Sequence, residues 1–124
     1  MEGLVKELWQ DKRVLVTGHT GFKGSWLCMI LSQLGAKICG VSLEANTAQD
    51  IFFSANIEKT LISHNIVDIR DRAGLDTVFA AFKPEVVIHM AAQPLVRYSY
   101  DNPLETYEVN VIGTAKVLEV ARNC

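Results

Sequence analysis

The sequence predicts an α/β fold in which a doubly wound parallel sheet is truncated after about four strands. Two observations predict this fold: short apolar runs alternate with longer helical patterns, and a glycine-rich loop directly follows the first apolar run. We interpret residues 1–124 as one segment of a domain, since they contain no internal repeat, linker or low-complexity tract.

The composition is typical of a globular protein, with 49% hydrophobic residues, 21% charged residues and a net charge of -2. Because the Lys and Arg residues are scattered, we expect neither nucleic acid nor an anionic membrane as the main partner. The cysteines, Cys28, Cys39 and Cys124, fit neither a disulfide framework nor a zinc site, so we expect no metal and a cytoplasmic location. No apolar run is long enough for a signal peptide or a membrane span.

The first half of the chain predicts strand, helix and strand in turn. Residues 14–16 are short, β-branched and followed by glycine, which predicts a buried strand. Residues 22–34 predict a helix that Gly35 ends as a C-cap glycine, and Trp26 is expected in the core. Residues 38–43 predict the second strand.

The second half repeats the alternation. Residues 44–60 indicate only loop and weak helix, and residues 65–69 predict a third strand. Asp71 can cap a helix that runs to about Phe82, and residues 85–90 predict a fourth buried strand.

A loop through Gln93, Pro94 and Ser99 is predicted to precede a last helix. Asn102 can cap that helix, Pro103 suits its first position, and Glu105 can reach back to the cap. One face of the helix is formed by Leu104, Tyr107, Val111, Ala115 and Leu118.

Gly18, Gly21 and Gly24 stand between the first strand and the first helix, the context in which a glycine pattern predicts dinucleotide binding. Gly18 would turn the chain, Gly21 would admit a pyrophosphate, and Gly24 would allow close helix packing. The phosphates would then meet the free N–H groups of the helix N-terminus. The alternative is a tight turn with packing glycines. We prefer dinucleotide binding, which makes the predicted fold Rossmann-like.

The choice between NAD and NADP depends on the end of the second strand. Ser42 and Leu43 stand where an Asp would hold the adenine ribose, and Glu44 follows one or two positions late. No Arg is present there to hold a 2′-phosphate, so NAD is favoured. Glu44 is either a ribose ligand or a solvated loop residue.

Four stretches resemble a known group of enzymes. They are residues 17–27 (TGHTGFKGSWL, with the form T-G-x-x-G-x-x-G), 68–71 (DIRD), 89–96 (HMAAQPLV) and 110–119 (NVIGTAKVLE). The chain thereby resembles the extended short-chain dehydrogenase/reductase superfamily over roughly residues 12–122. Within it, the likeness is greatest to the nucleotide-sugar 4,6-dehydratases that act on CDP-glucose. Related enzymes usually have Ala or Ser where this chain has His19 and Thr20.

The resemblance implies a set of cofactor-binding residues. Asp68 would bond the adenine amino group, Ile69 would pack on the ring, and Gln93 would lie near the ribose on the nicotinamide side. The full set is Gly18, Thr20, Gly21, Phe22, Lys23, Gly24, Asp68, Ile69, Ala91, Ala92 and Gln93.

The resemblance also implies what the parent enzyme does. NAD would accept hydride from the sugar of a nucleotide-sugar substrate, water would leave, and hydride would return, in the service of polysaccharide (O-antigen) biosynthesis. The superfamily's Tyr-x-x-x-Lys pair does not occur here, so we expect no catalytic residue within this segment.

Two alternatives remain open. One is another NAD(P)-dependent nucleotide-sugar epimerase, dehydratase or reductase, and the other is a non-catalytic cofactor-binding module. A sheet of four strands leaves an edge to cover, so we also expect marginal stability and a homo-oligomer.

The remaining polar residues have less specific interpretations. We expect His89 to be a buried, hydrogen-bonded histidine, His64 to lie at the surface, and His19 to shape the glycine loop. Asn110 is a poor helix former inside a helix, and the resemblance implies that it supports the active-site loops.

Overall fold

The computed structural model describes residues 2–45 and 50–124. Four parallel strands form one sheet in the order β3-β2-β1-β4. The strands are β1 Arg13–Thr17, β2 Lys37–Ser42, β3 Ser63–Ile66 and β4 Val86–His89. The predicted α/β fold with a parallel sheet is therefore confirmed.

Helices connect these strands and cover them. They are α1 Glu2–Trp9, α2 Phe22–Gln33, α3 Ile51–Ser54, α4 Arg72–Phe82, α5 Val96–Asp101, α6 Pro103–Tyr107 and α7 Thr114–Arg122. A 3₁₀ turn occupies Ile57–Thr60, and a π-helical segment at Glu108–Gly113 joins α6 to α7. No helix in the described part of the chain is long and apolar enough to cross a membrane.

The core lies on both faces of the sheet because side chains alternate along each strand. Leu15 points into one cluster with α4 and α7, whereas Val14 and Val16 point into the other with α2 and the 3₁₀ turn. A strand buried on both faces carries a continuous apolar run, which explains the sequence of β1. All three of these side chains are completely buried.

Two end signals are confirmed, while several segments differ from the predictions. Gly35 follows α2 with φ +81°, and the side chain of Asp71 accepts a hydrogen bond from the Gly74 N–H at 3.1 Å. No sequence pattern predicted α1, and the residues of α5 were predicted to form a loop. Residues 46–49 of the predicted loop lie outside the described residues.

The buried face of α2 agrees with the predicted one only in part. Its exposed apolar side chains are Phe22, Trp26 and Ile30. Its buried positions are Gly24, Ser25, Cys28 and Leu31. The expectation that Trp26 belongs to the core was therefore wrong. Small residues face inward because α2 lies directly on the glycine loop, where a larger side chain would meet backbone.

The third strand ends earlier than predicted, at Ile66 instead of residue 69. Asp68 ends the pairing because its Oδ1 accepts the Arg70 N–H at 2.9 Å, which turns the chain. Asp68 and Ile69 therefore follow β3 and do not belong to it.

β4 is only half-buried, although a buried strand was predicted. It pairs with β1 alone in the described sheet, so its other edge is uncovered.

α6 begins at Pro103, where the sequence predicted the last helix to begin, but the predicted capping box is absent. Glu105 instead accepts the Tyr98 hydroxyl at 2.5 Å, and the Asn102 amide donates to the Tyr98 carbonyl at 3.4 Å. The face that holds Leu104 and Leu118 points outward, because Gly113, Val117 and Val120 are the buried positions.

Candidate functional site

The glycine loop lies between the carboxyl end of β1 and the N-terminus of α2. Gly18 has φ +78°, a left-handed conformation that favours glycine, and its N–H donates to the Val41 carbonyl at 2.8 Å. A Cβ at Gly18 would lie 2.8 Å from the Ala91 nitrogen. The loop is therefore pressed against the turn that follows β4.

The other two loop glycines meet different surroundings. A Cβ at Gly24 would lie 2.2 Å from the Gly18 oxygen, so close packing of α2 on the loop requires a glycine there. A Cβ at Gly21 would meet the Gly18 oxygen at 3.4 Å, which is tight without a severe overlap. The structure thus explains Gly24 by packing, as the sequence predicted.

The N-terminus of α2 can bind an anion. Its N-cap residue, Gly21, provides no side-chain hydrogen bond, and no acidic residue lies in the first turn. The N–H groups of Phe22, Lys23 and Gly24 therefore have no partner within the helix. Such groups, together with the helix dipole, favour a phosphate.

A cleft of about 410 Å³ opens beside this helix end. It is lined by Thr20, Gly21, Phe22, Glu44, Ala45, Asp50 and Ile51. The Thr20 hydroxyl donates to the Leu43 carbonyl at 2.9 Å and contacts the Ser42 hydroxyl at 2.7 Å, which ties the loop to the end of β2. The cleft therefore combines a phosphate-binding helix end with two acidic residues, Glu44 and Asp50.

The residues expected near adenine are already engaged. The Asp68 carboxylate forms a two-point ion pair with Arg70, whose Nε donates to Oδ1 at 3.1 Å and whose Nη2 donates to Oδ2 at 2.7 Å. These bonds lower the pKa of Asp68. Ile69 is 4% exposed and packs on Gly113. An adenine contact would have to share the Asp68 carboxylate and use the remaining edge of Ile69, and it stays a prediction.

The turn after β4 is held by Asn110 from the π-helical segment. The Asn110 Oδ1 accepts the Gln93 N–H at 2.7 Å, and its Nδ2 donates to the Gln93 carbonyl at 3.1 Å. The Gln93 side chain folds back to Leu95 and Thr106. Asn110 thus supports this loop as expected, while the ribose contact of Gln93 stays a prediction.

Ala91 and Ala92 provide a small surface at the same turn. Ala91 is partly buried beside Gly18, and Ala92 is exposed. Their methyl groups leave the backbone accessible to a ligand. Gly18 and Ala91 therefore meet at the point where β1 and β4 both end, and Gln93 follows in the same turn.

A histidine pair lies behind the glycine loop. The fully buried His19 places its Nε2 2.7 Å from the Nδ1 of His64, and its ring contacts Phe52 edge-on. His64 is therefore not the surface residue that was expected. Burial, with a smaller effect of His64, lowers the pKa of His19 to about 4. A Cβ on Gly40 would lie 2.5 Å from this ring, so a glycine in β2 makes room for it.

Sequence patterns assigned no role to Thr17 or Thr114 and placed His64 at the surface, yet Thr17 and Thr114 both bond to His89, and His64 bonds to His19. Each joins segments far apart in the chain, and a single sequence holds no signal for such pairs. The described residues contain no group of three or more His, Cys, Asp or Glu side chains that could hold a metal ion.

The glycine loop, the N-terminus of α2 and the adjoining cleft together fit a dinucleotide. The uncapped helix end suits a pyrophosphate, the cleft beside Thr20 and Glu44 suits a ribose, and the glycines leave the backbone bare. Ser42, which stands where an Asp would usually hold the ribose, departs from this pattern, and its hydroxyl is bonded to Thr20.

Comparison with known proteins gives a consistent result. Residues 15–124 match the family described as GDP-mannose 4,6 dehydratase. The CDP-glucose 4,6-dehydratase of Salmonella typhimurium strain LT2 is 52% identical over 117 residues, which are 94% of this chain and 32% of that protein. The UDP-glucose 4-epimerase of Mycolicibacterium smegmatis is 39% identical over 89% of this chain and 34% of its own length.

Solved structures also resemble this chain. The UDP-glucose 4-epimerase of Thermus thermophilus, solved in complex with NAD, superposes with a TM-score of 0.78 at 34% identity. The match covers 90% of this chain and 34% of that structure. The chain therefore spans about a third of the length of the relatives that it matches.

Proposed function

Since the chain belongs to the GDP-mannose 4,6-dehydratase family, we propose that it is the NAD-binding segment of a nucleotide-sugar 4,6-dehydratase that acts on CDP-glucose. The observation that carries this proposal is the uncapped N-terminus of α2 beside Gly21, which opens onto a cleft at the end of β2. The choice of CDP-glucose rests on the 52% identity to the Salmonella enzyme.

The proposed cofactor site consists of the residues that line this end of the sheet. The backbone of the loop would hold the pyrophosphate, Asp68 and Ile69 the adenine, and Gln93 the ribose beside the nicotinamide. The set is Gly18, Thr20, Gly21, Phe22, Lys23, Gly24, Asp68, Ile69, Ala91, Ala92 and Gln93.

Bound NAD supplies a hydride acceptor and, once reduced, a hydride donor. The residues of this chain bind and orient it: the free N–H groups of α2 offset the phosphate charge, and Asn110 fixes the backbone of Gln93. We assign no catalytic acid or base within these 124 residues, because they contain no Tyr-x-x-x-Lys pair. The sugar chemistry belongs to the longer polypeptide that the relatives represent.

The chain is expected to bind NAD⁺ about tenfold more tightly than NADP⁺, because Glu44 faces the cleft and would repel a 2′-phosphate. Calorimetric titration with both dinucleotides measures this difference. Glu44→Gln should reduce the preference, whereas Glu7→Gln removes the same charge from α1 and should leave it unchanged. No heat with either dinucleotide would contradict the proposed cofactor site.

One alternative function has specific support. The identity to UDP-glucose 4-epimerases and the fold shared with them favour an epimerase segment as second candidate. Both functions need the same cofactor site, so NAD⁺ binding does not separate them. Incubation of the longer polypeptide with CDP-glucose does: a dehydratase eliminates water, whereas an epimerase forms an isomer of equal mass.

We also propose that the chain forms a homo-oligomer in the cytoplasm. The helical region from α6 to α7 has an exposed apolar face. This face carries Leu104, Tyr107, Val111 and Leu118, which are 79%, 67%, 54% and 66% exposed. Such a face, continuous over several turns, favours pairing with a second copy. The unpaired thiols of Cys28 and Cys39 support a reducing compartment.

Sedimentation velocity over a range of concentrations is expected to show association of the chain. The double variant Tyr107→Glu, Leu118→Glu should shift it to monomer, since two charges cannot be buried in an apolar contact. Leu4→Glu changes an equally exposed leucine on α1 and should not. A monodisperse wild-type monomer with a high melting temperature would contradict the proposal.

A further inference from the structure

Hydrogen bonds among three side chains link the end of β1, through β4, to the start of α7. The Thr17 hydroxyl lies 2.6 Å from the Nδ1 of His89, and the Nε2 of His89 lies 2.9 Å from the Thr114 hydroxyl. The Thr114 hydroxyl donates to the Asn110 carbonyl at 2.7 Å. This hydrogen-bond network connects β1, β4 and the π-helical segment. None of its three side chains belongs to the proposed cofactor contacts.

The surroundings of Thr17 determine where the protons are. Thr17 is fully buried, and its hydroxyl oxygen accepts the N–H groups of Met90 and Ala91 at 3.0 and 3.1 Å. The Met90 N–H is shared with the Thr17 carbonyl. Because two donors already point at this oxygen, its own hydrogen must go to an acceptor, and the Nδ1 of His89 is the atom in reach.

The proton positions in the other two hydrogen bonds follow from this one. If Nδ1 of His89 accepts, the neutral ring carries its proton on Nε2, which donates to Thr114. The Thr114 hydroxyl can accept that bond because its own hydrogen goes to Asn110. All three bonds therefore run in one direction, and every donor has one acceptor. Burial lowers the pKa of His89, in agreement with a neutral ring.

We propose that His89 is a positioning residue that, as the neutral Nε2–H tautomer, holds the turn after β4 against the glycine loop and couples both to the π-helical segment. A proton on Nδ1 would bring a third donor to Thr17 and displace the Ala91 N–H. The backbone of Ala91 lies against Gly18, where a Cβ would come within 2.8 Å, so this displacement would move the loop.

The position of the π-helical segment supports the same role. Asn110 ends the chain of hydrogen bonds through its carbonyl, and its side chain binds both backbone groups of Gln93. Single π-helical turns inside α-helices are frequent at functional sites. One network thus reaches both ends of the turn that would hold the nicotinamide half of the cofactor. To this extent the inference rests on the proposed function.

The test combines an NMR measurement with a matched pair of variants. Two-bond ¹⁵N–¹H correlation spectra of the wild-type chain are expected to show the His89 proton on Nε2 at neutral pH. Thr114→Val removes the acceptor of that proton, and hydrogen exchange of the Met90 and Ala91 amides should accelerate. Thr77→Val removes a similar hydroxyl bond, to the Ala73 carbonyl four residues back, without contact to His89.

Cofactor affinity provides the second readout. Thr114→Val is expected to weaken NAD⁺ binding about fivefold to tenfold, the effect of one lost hydrogen bond. Thr114→Ser keeps the hydroxyl and should restore wild-type affinity and exchange, while Thr77→Val should match wild type in both.

A His89 proton on Nδ1, or equal amide exchange in the Thr114→Val and Thr77→Val variants, would overturn the inference. The NMR measurement needs only the wild-type chain, so it determines the tautomer of His89 even if a variant fails to fold. Absence of NAD⁺ binding by the wild-type chain would defeat the proposed function, whereas the tautomer and the amide exchange would still decide the role of His89.

Discussion

Replacement of Gly24 by alanine is expected to destabilise the chain by about 3 kcal/mol or more and to abolish NAD⁺ binding. The added Cβ would lie 2.2 Å from the Gly18 oxygen and 2.8 Å from the Gly18 carbonyl carbon. Both are backbone atoms, so the clash cannot be relieved by a side-chain rotation. α2 would have to move away from the loop, and its free N–H groups would move with it. Chemical denaturation and calorimetric titration measure the two losses.

Gly3→Ala is the matched control for this substitution. Gly3 lies in α1, and a Cβ there would have no other atom within 4 Å. Because alanine is the better helix former, Gly3→Ala should leave stability unchanged or raise it by up to about 1 kcal/mol. If Gly24→Ala unfolded at the same denaturant concentration as Gly3→Ala, α2 would not pack on the loop in the way described.

Acidification is expected to destabilise the chain through His19, with a loss of up to about 3 kcal/mol between pH 6.5 and pH 4. Burial and the neighbouring His64 lower the pKa of His19 from 6.5 to about 4 in the folded chain. The unfolded chain therefore takes up a proton in this range while the folded chain does not. The stabilisation from a neutral His19 is complete above pH 6.5 and is lost as the pH falls toward 4.

His19→Phe isolates this effect because it keeps a ring in the cavity and removes the charge. Urea denaturation at pH 7 and pH 4.5 should show a larger stability difference for the wild-type chain than for the variant. What is compared is the change in unfolding free energy between the two pH values. A packing cost of phenylalanine that is the same at both pH values therefore cancels. His89, whose pKa is also lowered by burial, contributes with the same sign in both proteins. An equal pH dependence in the two proteins would contradict the assignment to His19.

The sequence predicted the elements whose signals are local. The short run 14–16 predicted β1, Gly35 predicted the end of α2, and Asp71 predicted the start of α4, because each depends on a few neighbouring residues. The resemblance to nucleotide-sugar dehydratases is confirmed by the family match over residues 15–124. This resemblance rested on contiguous strings, which a single sequence displays completely.

Two of the predictions that failed concern which face of a helix is covered. Apolar residues occur on several sides of α2, so helical spacing could not show that Trp26 faces solvent. The contact is decided by Gly24, which fits against the Gly18 carbonyl where no larger residue can. Similarly, the outward face of the last helix has the same periodicity as a buried one.

By itself, the sequence determined the parallel α/β fold, the glycine loop at the end of β1 and the family, since each depends on residues adjacent in the chain. Only the tertiary structure decided how polar groups from distant segments satisfy one another. His64 meets His19 across 45 positions of chain, and His89 meets Thr17 across 72. Such pairs form because a buried polar group needs a partner, and the fold alone determines which partner lies within reach.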